Sequence, residues 1–165
     1  MQKSTLQTSS TESENPFGEA CKKAYACAMG LLARREHSER ELGLKLVRRD
    51  NDAAVIDAVL AQLVNEGYLS NARFAEVFVR SRHGRGVGPL RIRAELRQRG
   101  VDDHLVEEAF RELSADWFDA ARRQRDKRFG LVPPQDIQER ARQMRFLQQR
   151  GFNGEQARAA IDSER

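Results

Sequence analysis

The chain has 165 residues and a net charge of +4, with 39% hydrophobic, 33% charged and only 7% aromatic side chains. That is too little apolar material for one large core, and several thin cores in series fit it better. No stretch approaches the about 18 apolar residues that cross a bilayer. The polar N-terminus has no apolar signal region. A soluble, cytoplasmic protein is therefore expected.

Met1 to Asn15 is rich in Ser, Thr and Glu. Such a stretch buries little, so residues 1–16 are expected to form a disordered tail. From Pro16 onward the apolar residues follow helical spacing, and no period-2 run lasts. Tyr25, Ala28, Met29 and Leu32 make one stripe; Ile56, Val59, Leu60 and Leu63 make a second, closed by Gly67 as a helix stop. Phe74, Val77 and Phe78 make a third. Gly88-Pro89 and Pro133-Pro134 with Asp136 read as helix starts. Cys21 and Cys27, six residues apart on one helix, cannot bridge and match no zinc spacing. They read as small apolar residues in a reducing compartment.

The chain repeats. Leu96, Arg99, Gly100, Val101, Val106, Ala109 and Phe110 are matched by Leu147, Arg150, Gly151, Phe152, Ala157, Ala160 and Ile161 at an offset of 51. Asp102 and Asn153 follow each Arg-Gly pair as helix-cap candidates. A fainter copy runs through Leu46, Arg49, Ile56, Val59 and Leu60, with Asp50 in the glycine position. Three units of three helices follow, at about 17–70, 71–114 and 115–165. The expected fold is all-α: three tandem three-helix repeats forming an elongated, curved molecule.

Charge alternates along this series. Arg73 to Arg99 holds eight Arg against Glu76 and Glu95; Ala121 to Arg150 holds nine Arg or Lys against Asp126, Asp136 and Glu139. Between them Val101 to Asp119 is acidic, with Arg111 as its one cation. Basic blocks of this kind favour a polyanionic partner.

Catalytic signals are lacking. His37, His83 and His104 stand singly, and no metalloprotease, nucleophile-elbow, phosphate-loop or Cys-His arrangement occurs. No catalytic residue, metal or cofactor is expected. The run Gly84 to Gly88 reads as a flexible connector, since no strand precedes it and no Lys-Ser/Thr pair follows. The candidate binding residues are the arginines Arg80, Arg82, Arg85, Arg91, Arg93, Arg97 and Arg99, then Arg122, Arg123, Arg125, Lys127 and Arg128. Ile92 and Leu96 lie one turn apart and face inward, so Arg91, Arg93, Arg97 and Arg99 reach solvent. Guanidinium groups in such a row can grip phosphate in a bidentate way, and an ordinary solvated helix face fits the same pattern. Phe74, Phe78, Phe110, Trp117 and Phe118 fall on apolar stripes and are assigned to module cores, so base-specific reading is not indicated.

Four segments resemble the RecX family, bacterial regulators of the RecA recombinase. They are Leu31 to Leu42 continuing to Lys45-Leu46 (with Arg35, Ser38 and Glu41); Leu63 to Glu76 (with Glu66-Gly67-Tyr68-Leu69 and Arg73-Phe74-Ala75); Gly88-Pro89 to Val101 (with Arg91-Ile92-Arg93, Glu95-Leu96 and Arg99-Gly100); and Phe146-Leu147 to Phe152 (with Arg150-Gly151). The third is the most specific. The resemblance covers about Tyr25 to Ile161, in order. The Ser-rich tail and Asp50 depart from the family pattern. What the resemblance implies is three three-helix repeats. It further implies binding in the groove of the RecA–single-stranded-DNA filament, with block of extension, disassembly and loss of recombinase and coprotease activities. The expected partners are the RecA filament and single-stranded, possibly double-stranded, DNA, met by a monomer. Two readings compete: a stand-alone helix-turn-helix DNA-binding regulator and a pure protein adaptor. Against the first, the third helices are acidic or apolar (Val101 to Leu113, Asn153 to Ile161).

Overall fold

The protein, described by a computed structural model over residues 16–162, is built from helices, and no strand occurs among the described residues. Residues 1–15 of the tail expected to be disordered lie outside them, and Pro16 opens the first helix. The order is α1 (Pro16–Leu32), α2 (Glu39–Val47), α3 (Ala53–Asn65), α4 (Asn71–Gly84), α5 (Pro89–Gln98), α6 (Asp103–Leu113), α7 (Trp117–Phe129), α8 (Ile137–Gln149) and α9 (Gly154–Asp162). In each successive triplet the first and third helices pair most extensively and the second leans on them. The result is all-α and tandem, with a separate core in each module.

The helix boundaries have local causes. Ser38, Ser70, Asp116 and Asp136 accept backbone N–H bonds as N-caps of α2, α4, α7 and α8. Pro89 opens α5, where its missing N–H costs nothing. Asn153 and Gln156 form a reciprocal cap at 2.8 and 2.9 Å. Gly67, Gly100 and Gly151 follow the ends of α3, α5 and α8 with positive φ. Asp50, in the corresponding place of the first module, takes φ 57 without being glycine. The degenerate repeat thus keeps its turn geometry at the cost of left-handed backbone strain.

The first core is centred on Leu42, Leu46, Val59, Leu63 and Leu69, the second on Val79, Ile92 and Leu96, the third on Ala121, Leu147 and Phe152. Cys21 and Cys27 are free thiols, packed against the first. Two stripe assignments need correction. On α4 the buried line is Phe74, Ala75 and Val79, and Val77 is 47% exposed; the inward face lies one residue away from the expected stripe. Phe118 is half exposed, while Trp117 beside it bridges the second and third cores.

Neighbouring modules meet through turns and, at the second junction, also through the Trp117 ring of α7, which lies against His83 of α4 and Phe110 of α6. At the first junction Ser38 donates its hydroxyl to the Arg99 carbonyl at 2.7 Å. Gly100 lies against the Arg40 side chain, and Asn71 exchanges two bonds with Glu39. At the second junction Gly88 N–H donates to the Arg150 carbonyl at 2.7 Å and Leu90 N–H to the Gly151 carbonyl at 3.0 Å. Each Arg-Gly turn therefore docks on the start of the preceding module's second helix. There its carbonyls satisfy a serine hydroxyl in one case and orphan helix N–H groups in the other. The Gly84–Gly88 run is accordingly no loose connector. Gly88 is buried, and a Cβ on it would sit 2.2 Å from the Gly151 carbonyl carbon.

Candidate nucleic-acid and partner interface

The structure sorts the sequence-predicted cations into three groups. Arg125 stands corrected: it is 5% exposed and does not reach solvent. Its guanidinium donates to Gln143 Oε1 at 3.0 Å, to Asp126 at 3.0 Å, and to the carbonyls of Gly130 and Val132 at 3.1 and 2.6 Å. It ties the α7–α8 connection to both helices. Burial of an arginine requires such full satisfaction of its donors.

The second group is paired. On α5, Arg91 bonds Glu95 at 3.0 Å, Arg97 bonds Asp103 at 2.6 Å, Arg99 bonds Glu41 at 3.0 Å, and Arg93 pairs with Glu107. Arg82 of α4 bonds Glu95 at 2.8 Å; Arg122 and Arg123 share Asp119. Several also lie on rings: Arg93 over Phe110 at 4.1 Å, Arg82 and Arg99 over Phe78 at 5.0 and 4.7 Å. Burial, then the neighbouring Arg97, pushes the Arg93 guanidinium below its ordinary value. The expected comb of free arginines on α5 and at its C-cap is therefore paired throughout, by Glu95 of α5 itself, by Asp103 and Glu107 of α6 and by Glu41. Exposed ion pairs are worth about 0–1 kcal/mol each. They cancel the distant field without barring a phosphate that comes close.

The third group is free. Arg80, Arg85, Lys127 and Arg128 are exposed and have no acidic partner among the described residues. Lys127 lies with Arg123, His83, Gly84 and Gly86 around a cavity of about 390 Å³ where the second module meets the third. Burial, then Arg123, lowers the His83 pKa, so this wall favours neutral imidazole.

Two cations that sequence reading passed over join Arg128. Arg142 and Arg145 stand three residues apart on one face of α8 and, with Arg128, Phe129, Phe146 and Gln149, line a cavity of about 410 Å³. The signal was present in the count of nine cations between Ala121 and Arg150. Their approach to Arg128 depends on how α8 packs on α7.

Among the described residues no group of three His, Cys, Asp or Glu is placed to hold a metal, and no helix is long and apolar enough to cross a membrane.

Fold and surface define the class: a tandem three-helix-repeat protein with three small cores and exposed cations on every module. Comparison with known proteins narrows it. Residues 24–63 match the first, 70–109 the second and 114–161 the third three-helix domain of RecX. The chain is 50% identical over 143 residues to the Regulatory protein RecX of Halorhodospira halophila, covering 87% of this chain and 89% of that one. It is 47% identical over 125 residues to that of Pseudomonas savastanoi pv. phaseolicola, covering 76% and 81%. The chain belongs to the RecX family of regulatory proteins. A crystal structure of RecX from Lactobacillus salivarius shares the fold, with TM-score 0.73 and 20% identity over 87% of this chain and 96% of that one.

Proposed function

We propose that this protein is a negative regulator of RecA. It binds the RecA–single-stranded-DNA filament in its groove, inhibits extension, and thereby lowers recombinase and coprotease activity in DNA repair and the SOS response. The observation that carries this reading is membership: all three modules match RecX domains, in order, over most of the chain. The reading has a cytoplasmic monomer acting by binding, with no catalytic group or cofactor of its own.

The charge distribution supports a division of labour. Arg80, Arg85, Lys127 and Arg128, being unpaired, supply the long-range attraction to a polyanion and the salt sensitivity of association. Arg82, Arg91, Arg93, Arg97, Arg99, Arg122 and Arg123 can exchange their acidic partners for phosphate or for acidic recombinase surface at short range. Arg125 takes no part.

The stand-alone helix-turn-helix alternative is not favoured. It would need α6, a third helix, to enter a groove, and α6 carries Asp103, Glu107, Glu108 and Glu112 against Arg111.

The test is RecA's single-stranded-DNA-dependent ATP hydrolysis with this protein added well below one copy per RecA. A fall in rate supports filament regulation; no effect on RecA of the same organism refutes it.

A further inference from the structure

The cavity at the α7–α8 corner has an unusual lining: three guanidinium groups, two aromatic rings and an amide, with no carboxylate. Arg128 and Arg145 have no acidic partner among the described residues, and Arg142 approaches Glu139 only to 3.6 Å. The rings of Phe129 and Phe146 meet edge to face, 5.3 Å between centres. Phe146 packs against the third core, but Phe129 does not belong to it. The planar guanidinium of Arg142 already stands over the Phe129 ring at 5.6 Å, which marks that ring as a platform for flat groups. The volume, about 410 Å³, suits a small organic ligand or one residue of a polymer.

We propose that this cavity binds one nucleotide of a single strand, its base stacked on Phe129 and its flanking phosphates held by Arg128, Arg142 and Arg145. Cationic walls select a polyanion, and an aromatic platform selects one with exposed flat faces. Duplex DNA keeps its bases stacked inside and cannot offer one. The Gln149 amide is placed to bond a base edge without demanding a particular base. On its other flank Arg142 and Arg145 border a second cavity that contains Asp136 and Glu139. Those carboxylates repel phosphate, so the strand leaves on the Arg128 side. The proposal deepens the filament-binding reading and rests on it for its biological setting, but binding of naked strand tests it separately.

The experiment uses the full chain and fluorescence anisotropy with a short labelled oligothymidylate, an abasic strand of equal length and a duplex. Stacking contributes about 1–3 kcal/mol per base. Wild-type protein should therefore prefer the thymidylate to the abasic strand by roughly fivefold or more. Phe129→Leu, which keeps apolar bulk and removes the flat face, should abolish that preference and leave abasic binding unchanged. Arg145→Gln should weaken both strands and lower the log–log salt slope by about 0.7. Circular dichroism melting shows that each variant is folded, and neither side chain is fully buried. Equal affinity of the wild type for thymidylate and abasic strands overturns the proposal, as does a folded Phe129→Leu that keeps the preference. The RecA assay decides the other reading: a protein that discriminates the two strands yet leaves RecA untouched keeps this site and loses filament regulation.

Discussion

Gly88 and Gly151 touch backbone to backbone across the junction of the second and third modules, with no room between them for a side chain. The contact joins the start of α5 to the end of α8, and two hydrogen bonds run through it. Gly88→Ala puts a methyl where a carbonyl carbon lies and should cost about 2 kcal/mol or more. Gly30→Ala, with nothing within 4 Å of the new methyl on α1, should be neutral or stabilise by up to about 1 kcal/mol. Thermal melting of both variants checks the pair. A Gly88→Ala protein as stable as wild type would mean that the junction yields freely.

Arg125 and Arg128 are three residues apart and should behave oppositely. Arg125→Ala removes four bonds from a buried site and leaves Gln143 and two carbonyls without a donor. A loss of about 3 kcal/mol is expected. Arg128→Ala should leave stability within about 0.5 kcal/mol, as for an ordinary surface position, and weaken strand binding. Urea unfolding and anisotropy on the same two proteins give both readouts. Equal stability of the two variants would contradict the buried network.

His37 is buried between Arg35 and Lys45. Lys45 can only donate, so Nε2 accepts from it at 2.9 Å, and Nδ1 carries the proton toward the Arg35 carbonyl at 3.0 Å. Burial first, then Arg35, lowers its pKa below 6.5, and His83 is lowered in the same direction. A depressed histidine holds its stabilising contribution above its unfolded pKa and loses it as pH falls, because the unfolded chain takes up the proton more readily. Melting temperature should therefore drop as pH goes below about 6.5. The double variant His37→Gln, His83→Gln should have a flatter acid limb. An unchanged limb would place the acid sensitivity elsewhere.

Tyr25 of α1 donates to Glu66, which caps the end of α3, at 2.5 Å. That bond, aided by burial, pushes the phenol up to about 12. Its contribution to stability is complete below about pH 10, the ordinary phenol value, and is lost as pH rises through the folded value. Ultraviolet titration should show the Tyr25 step at about 12, and Glu66→Gln should move that step down. A Tyr25 step that Glu66→Gln leaves in place would rule out the bond.

What the sequence by itself determined is what depends on near neighbours. Helix periodicity, caps such as Asp136 and stops such as Gly67 act within a turn or two, and the repeat, at 51 residues between the later copies and 50 to the fainter first one, marks three related modules. On α4 the spacing marks the helix, and its inward face lies one residue from Val77. The tertiary structure decided whatever depends on charges and backbones far apart in the chain. Glu41, 58 residues from Arg99, neutralises it, and the acids of α6 fold back onto the arginines of α5. A count of charges along the chain cannot register this, because pairing depends on distance through space. The same holds for the Gly84–Gly88 run, whose glycines read as freedom in sequence and serve instead to let two backbones meet. It holds too for Arg125, a surface cation by its sequence neighbours and buried because the α7–α8 connection closes over it.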